Sequence, residues 1–134
     1  VLAFLMPIVA SMGGNAGMQT LAVTVRTIAT NDLTKNNFSS NVIKEFTSGI
    51  LNGIIFAAIS AFIVQVWFQD NILSIVISIS MILTMIIAGL FGILVSVSLK
   101  QMDIDPAIAS SVFVLTITDV IGFVSFLGVG AYFL

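Results

Sequence analysis

Asp119 is the one acidic residue between Pro106 and Leu134, a run otherwise made of Ala, Ile, Val, Leu, Phe, Gly and small hydroxyl residues. A carboxylate near the middle of an apolar helix costs about 2.5–3.5 kcal/mol to hold in a bilayer, so it faces a partner, a water-filled pathway or an ion. Ser110, Ser111 and Thr116 precede it, and Thr116 and Ser111 fall on its helical face, although Leu115 does too. The non-transport reading of Asp119 is a hydrogen-bonded carboxyl joining helices through Asn15, Asn52 or a hydroxyl. Asp103-Ile104-Asp105-Pro106 is the second acidic feature. Asp before Pro is a helix start, because the carboxylate accepts orphan backbone N–H groups and proline has none to lose. Asp103 reads as a solvated loop carboxylate. Both Asp103 and Asp105, beneath the helix that carries Asp119, are also placed to attract or bind a cation at a pore mouth. Asp119 stands about 13 residues beyond Pro106, roughly 20 Å along a helix axis.

The third chemical feature is Gly13-Gly14-Asn15-Ala16-Gly17-Met18-Gln19-Thr20, preceded by Pro7. Gly13 and Gly17 form a small-xxx-small pair suited to close helix contact, with Asn15 or Gln19 hydrogen-bonding across it. Alternatively, Pro7 and the paired glycines loosen the helix and free carbonyl oxygens to line a cavity beside Asn15, which membranes tolerate only at such a cavity. Both readings hold for different faces. Other chemistry is excluded. With no His and no Cys there is no thiolate or imidazole metal site, no disulfide and no nucleophilic triad, and the glycines form no phosphate loop. Any bound metal has oxygen ligands. One intramembrane Asp does not make an aspartyl protease, and four Lys/Arg residues do not make a nucleic-acid surface.

The elements that hold these residues are set by composition: 59% hydrophobic and 7% charged residues, with mean hydropathy +1.23. A soluble domain carries about 25% charged residues. The sequence predicts an all-α, polytopic integral membrane helix bundle with four transmembrane helices at about 3–29, 44–68, 72–99 and 106–133, the lengths that a hydrocarbon core of ~30 Å requires. Residues 1–134 read as one transmembrane ion-pore domain, a fragment of a longer protein with at least one further helix before Val1. The polar stretch 30–43 reads as a solvated loop, and Gln69-Asp70-Asn71 as a tight turn. Arg26, Lys35, Lys44 and Lys100 all flank the first and third connections, which places 30–43 and 100–105 in the cytoplasm and 69–71 and both termini outside. Arg26 and Lys44 snorkel at the inner boundary, and Trp67 anchors the outer one.

Pro7, the Gly13-Gly14-Asn15-Ala16-Gly17 run with Gln19, then Arg26, and later Asp105-Pro106-Ala107 with Thr118-Asp119 closely resemble the membrane domain of the MgtE magnesium transporter family. The resemblance covers essentially the whole chain, as family helices two to five, without the first helix and the cytosolic regulatory domains. It implies a homodimer in the cell's inner or plasma membrane with a pore on the two-fold axis and Mg²⁺ as the transported ion. It implies further that Asp119 of both subunits forms the central metal site, with Gly14 and Asn15 lining the pore and Asp105 at its cytoplasmic end. Met18, Ser111 and Leu115 are not fixed family identities. The chemistry agrees with the ion: Mg²⁺ takes oxygen ligands, keeps its waters, and is bound through one or two carboxylates. Mn²⁺, Co²⁺ and Ca²⁺ share much of that preference. The expected function is a magnesium or divalent-cation channel-like transporter with no organic cofactor and no enzymatic activity. The alternatives are a cation- or proton-coupled carrier in which Asp119 cycles protons, and a non-transporting membrane scaffold.

Overall fold

The computed structural model describes residues 1–31, 34 and 36–134, and of residues 107–110 the backbone alone. Four helices follow one another: α1 (Leu2–Ala29), α2 (Phe38–Phe68), α3 (Asn71–Gln101) and α4 (Pro106–Phe133). Among the described residues, α2, α3 and the 111–133 part of α4 are long and apolar enough to cross a membrane. Three of the four expected spans are therefore present by length and composition. The remaining helix, α1, has the length at 28 residues, but its middle carries Asn15, Gln19 and Thr20.

Two expectations need correction. α2 begins at Phe38 rather than near Lys44, because Ser39, Ser40 and Asn41 form its first turn instead of extending the loop. The Asn41 carboxamide donates to the Asn37 carbonyl at 2.9 Å, and the Asn37 side-chain oxygen accepts the Thr34 N–H at 2.7 Å. Polar side chains fit a helix whose start projects beyond the apolar run. α1, for its part, is continuous through Pro7 and the paired glycines, with no glycine in the left-handed region. Pro7 falls close to the helix start, where it removes few backbone bonds, and the glycines are held helical by neighbours packed against them. The loosened-helix reading fails, and the packing reading of Gly13 and Gly17 stands.

α3 is the central helix, packed on α1, α2 and α4, and α4 also packs on α1. Small residues explain the closeness. A Cβ on Gly49 of α2 would lie 2.8 Å from the Cα of Ile86, and one on Gly53 would lie 2.9 Å from the Cα of Ile82, so the α2 and α3 backbones touch. Gly49, Gly53 and Ala57 recur every four residues along the buried stripe of α2. On α3, Ser80, Thr84, Ala88, Gly92 and Ser96 make a second small-residue line, which faces α1: Thr84 meets Gly13, and Gly92 meets Thr20 and the Gly17 carbonyl. Ser80 and Ser96 donate to their own helix, at the Val76 and Gly92 carbonyls, so their burial leaves neither hydroxyl unsatisfied. The apolar core, formed by residues such as Leu5, Val9, Ile77, Met81 and Phe126, fills the end of the bundle away from the α1–α2 connection.

The connections are specified locally. Gln69 adopts the left-handed conformation, and the Asp70 carboxylate caps α3 by accepting the N–H groups of Ile72 at 2.9 Å and Leu73 at 3.1 Å. The expected tight turn is present. α3 ends in a Schellman motif: Ile104 N–H reaches the Leu99 carbonyl at 2.9 Å and Asp103 N–H the Lys100 carbonyl at 3.1 Å, with Asp103 at φ 59°.

Candidate functional site

α4 turns Val114, Thr118, Gly122, Phe126 and Gly130 inward at four-residue spacing. α1 seats against that line closely: a Cβ on Gly122 would lie 2.9 Å from the Cα of Ala10, and one on Gly17 would lie 2.9 Å from Val114 Cγ1 and 3.0 Å from Thr118 Cγ2. Gly14 is looser, with 3.4 Å to Leu115 Cδ2 and 3.8 Å to Thr118 Oγ1. Gly14 is thus buried against α4 one residue from Asp119. Asp119 itself lies just off the buried line, on the exposed edge of α4.

Among the described residues Asp119 makes no hydrogen bond or ion pair. The reading of Asp119 as glue to Asn15, Asn52 or a hydroxyl finds no support among the described residues. Its helical neighbours are mixed: Ser111 is half-buried, Leu115 is exposed, and the exposed Thr116 donates its hydroxyl to the Val112 carbonyl at 2.8 Å. The side chain of Ser110 lies outside the described residues, as does Lys35, one of the four basic residues used for orientation. Arg26 and Lys44 are exposed, and Trp67 is exposed at the far end of α2. Asp105 is exposed and directly precedes Pro106, the first residue of α4.

Asn15 goes elsewhere. It is exposed on α1 and lines a groove of 510 Å³ with Met18 and Gln19 of α1, Asn52 and Phe56 of α2, and Met85 of α3. α1 and α2 hardly pack on one another, so α3 forms the floor between them. Asn15 and Asp119 therefore do not converge inside a single chain. Next to this groove is a more polar cavity of 210 Å³, lined by Gln19, Thr20, Glu45, Ser48 and Asn52 above Gly49 and Gly89. Across it, the Thr20 hydroxyl donates to Glu45 Oε2 at 2.8 Å. Sequence reasoning passed over Glu45, yet a signal was there: Glu45, Ser48 and Asn52 recur at i, i+3 and i+7, one face of a helix. No group of three or more His, Cys, Asp or Glu side chains comes together among the described residues.

Comparison with known proteins places this arrangement. The family model described as MgtE, divalent cation transporter, matches residues 6–129. The chain belongs to the MgtE family. Among its relatives, the magnesium transporter MgtE of Bacillus subtilis is 31% identical over 133 residues, covering 99% of this chain and 30% of that protein. The MgtE of Enterococcus faecalis is 29% identical over 134 residues, covering 100% and 30%. The MgtE of Thermus thermophilus is 31% identical over 128 residues, covering 96% and 28%. The chain thus spans about three-tenths of the length of the MgtE relatives it matches. The family resemblance read from Gly13–Gln19 and Asp105–Asp119 is borne out. MgtE proteins are transporters, not enzymes, and this MgtE segment, with its long apolar helices, is an integral membrane one.

Proposed function

We propose that this segment forms the ion pathway of a magnesium transporter, that α1 is the fourth membrane span, and that two copies meet at a two-fold axis with Asp119 of each facing the ion. The observation that carries the reading is the position of Asp119: unpaired, exposed, and deep along an apolar helix. Facing lipid there would cost about 2.5–3.5 kcal/mol. A second copy and a hydrated cation remove that cost. Gly17 and Gly122 let α1 approach α4 closely, and Gly14 lies in that contact beside Thr118, the neighbour of Asp119.

Two carboxylates offer too few oxygens to replace six waters, and Mg²⁺ gives up water reluctantly. The ion accordingly passes largely hydrated, held through water to Asp119 and nearby oxygen groups. Asp105, exposed at the start of α4, concentrates cations at the mouth. Mn²⁺, Co²⁺ and Ca²⁺ meet the same ligand type. The remaining partners are membrane lipid and the second subunit, and no organic cofactor enters. The basic residues orient 30–43 and 100–105 to the cytoplasm and the termini of this segment outward, in a plasma or inner membrane.

The test is Mg²⁺ flux through the full-length protein in liposomes, with and without an imposed pH gradient. Flux that follows the Mg²⁺ gradient and membrane potential, and is inhibited by an exchange-inert hexammine cation, is expected. Flux that stops without a proton gradient would replace this reading with a proton-coupled carrier, and absence of any flux would leave a scaffold.

A further inference from the structure

We infer that the cavity between α1 and α2 is a second divalent-cation site, separate from Asp119, with Glu45 as its anionic anchor. Glu45 is half-buried and stands in the first third of α2, close to the end of the bundle that carries the α1–α2 connection. Its Oε2 accepts the Thr20 hydroxyl at 2.8 Å, while its Oε1 has no protein partner among the described residues. The hydrogen bond fixes the carboxylate and leaves the second oxygen open to the cavity. Gln19, Ser48 and Asn52 add oxygen-bearing side chains around the same space.

The space suits a hydrated ion. The cavity, 210 Å³ and open to solvent on one side, admits an ion that keeps its waters. One carboxylate with retained waters is the usual protein contribution to Mg²⁺ or Mn²⁺ binding. The glycines make room for this. Gly89 leaves its absent Cβ 3.7 Å from Thr20 Oγ1 and 3.9 Å from Glu45 Oε2, so a side chain there would enter the site. Ala16, Gln19, Asn52 and Met85 line both this cavity and the 510 Å³ groove that reaches Asn15. Glu45 thus sits at the polar end of a continuous cleft on the α2 side of α1, whose other end is lined by Met12, Met18 and Phe56 beside Asn15, whereas Gly14 turns toward α4 and Asp119.

The choice of ion class rests on the transport reading; the existence of the site does not, and binding is measured without transport. A nitroxide on Phe46→Cys in the full-length protein, with any native cysteines elsewhere replaced, would lie beside Glu45 on an exposed position. Mn²⁺ is the probe. Saturable broadening of the nitroxide signal is expected, with the required Mn²⁺ concentration raised at least tenfold by Glu45→Gln and little by Asp119→Asn. Equal broadening with and without the Glu45 carboxylate would overturn the site. The metal-free line shape reports folding. Should Glu45→Gln change it, Glu45→Asp and Asn52→Ala decide: a raised Mn²⁺ requirement in either supports the site, and none in both rejects it. Flux failure with intact Mn²⁺ broadening would remove the proposed transport and leave this site standing.

Discussion

Gly14 of α1 faces Thr118 of α4 with room for one methyl group: a Cβ there would lie 3.8 Å from the Thr118 hydroxyl oxygen and 3.4 Å from Leu115 Cδ2. One turn along, Gly17 has no such room, since its Cβ would meet Val114 at 2.9 Å and Thr118 at 3.0 Å. The two glycines of one helix therefore answer differently to enlargement. Gly17→Ala is expected to destabilise the folded protein by about 1–3 kcal/mol through overpacking, read as a lowered melting temperature in detergent. Gly14→Ala should leave the melting temperature near the parent's. Gly14→Leu, too large for the gap but close to Asp119, should suppress Mg²⁺ flux more than folding. Normal flux from a well-folded Gly14→Leu protein would place the pathway elsewhere.

The α2–α3 contact gives a stability prediction that is independent of transport. Gly49 and Gly53 meet backbone atoms of Ile86 and Ile82, which cannot rotate away as a side chain can. Gly53→Val should abolish recovery of monodisperse protein. Gly128, which has nothing within 4 Å of its would-be Cβ, should accept Ala with no loss. Equal tolerance at both positions would contradict the backbone contact.

Asp70 supplies a third prediction. Its carboxylate takes both the Ile72 and Leu73 N–H groups, so Asp70→Ala should cost about 1 kcal/mol. Asp70→Asn should cost less, because a carboxamide oxygen also accepts. A melting curve for each variant checks this ordering.

The sequence pattern carried the number of helices, the Gln69-Asp70-Asn71 turn and the α4 start at Pro106, because each rests on local chemistry: an apolar run, a cap, a proline. It missed the start of α2, where the end of the hydrophobic run was read as the end of the helix although Ser39, Ser40 and Asn41 continue it. It also allowed a loosened α1, since Pro7 and Gly13-Gly14 have that tendency in isolation, but Pro7 falls near the helix start and the glycines are packed against α3 and α4. Glu45 was illegible for another reason. A single carboxylate beside Lys44 looks like a solvated charge until Thr20, 25 residues away in sequence, is seen to bond it. Asp119 and Asn15 could be picked by type, but that one stands at the α4 edge and the other in the α1–α2 groove is a property of the assembled bundle.

Orientation is testable on the 134-residue segment's own terms, since it contains no cysteine. Single cysteines at Ser39 and Asn71, in a full-length background cleared of other cysteines, should label from the cytoplasmic and external sides respectively. Labelling of Ser39→Cys from outside, with Asn71→Cys protected, would invert the topology drawn from Arg26, Lys44 and Lys100.

The most direct test of the central claim is Mg²⁺ flux through the full-length protein in liposomes, parent against Asp119→Asn. The substitution keeps side-chain size and removes the negative charge from a low-dielectric path, where an ionic interaction is several times stronger than in water. Flux is expected to fall at least tenfold, with the elution profile and melting temperature unchanged, while Asp103→Asn in the exposed turn after α3 stays near the parent. Undiminished flux through a folded Asp119→Asn protein would contradict the account and remove Asp119 from the pathway.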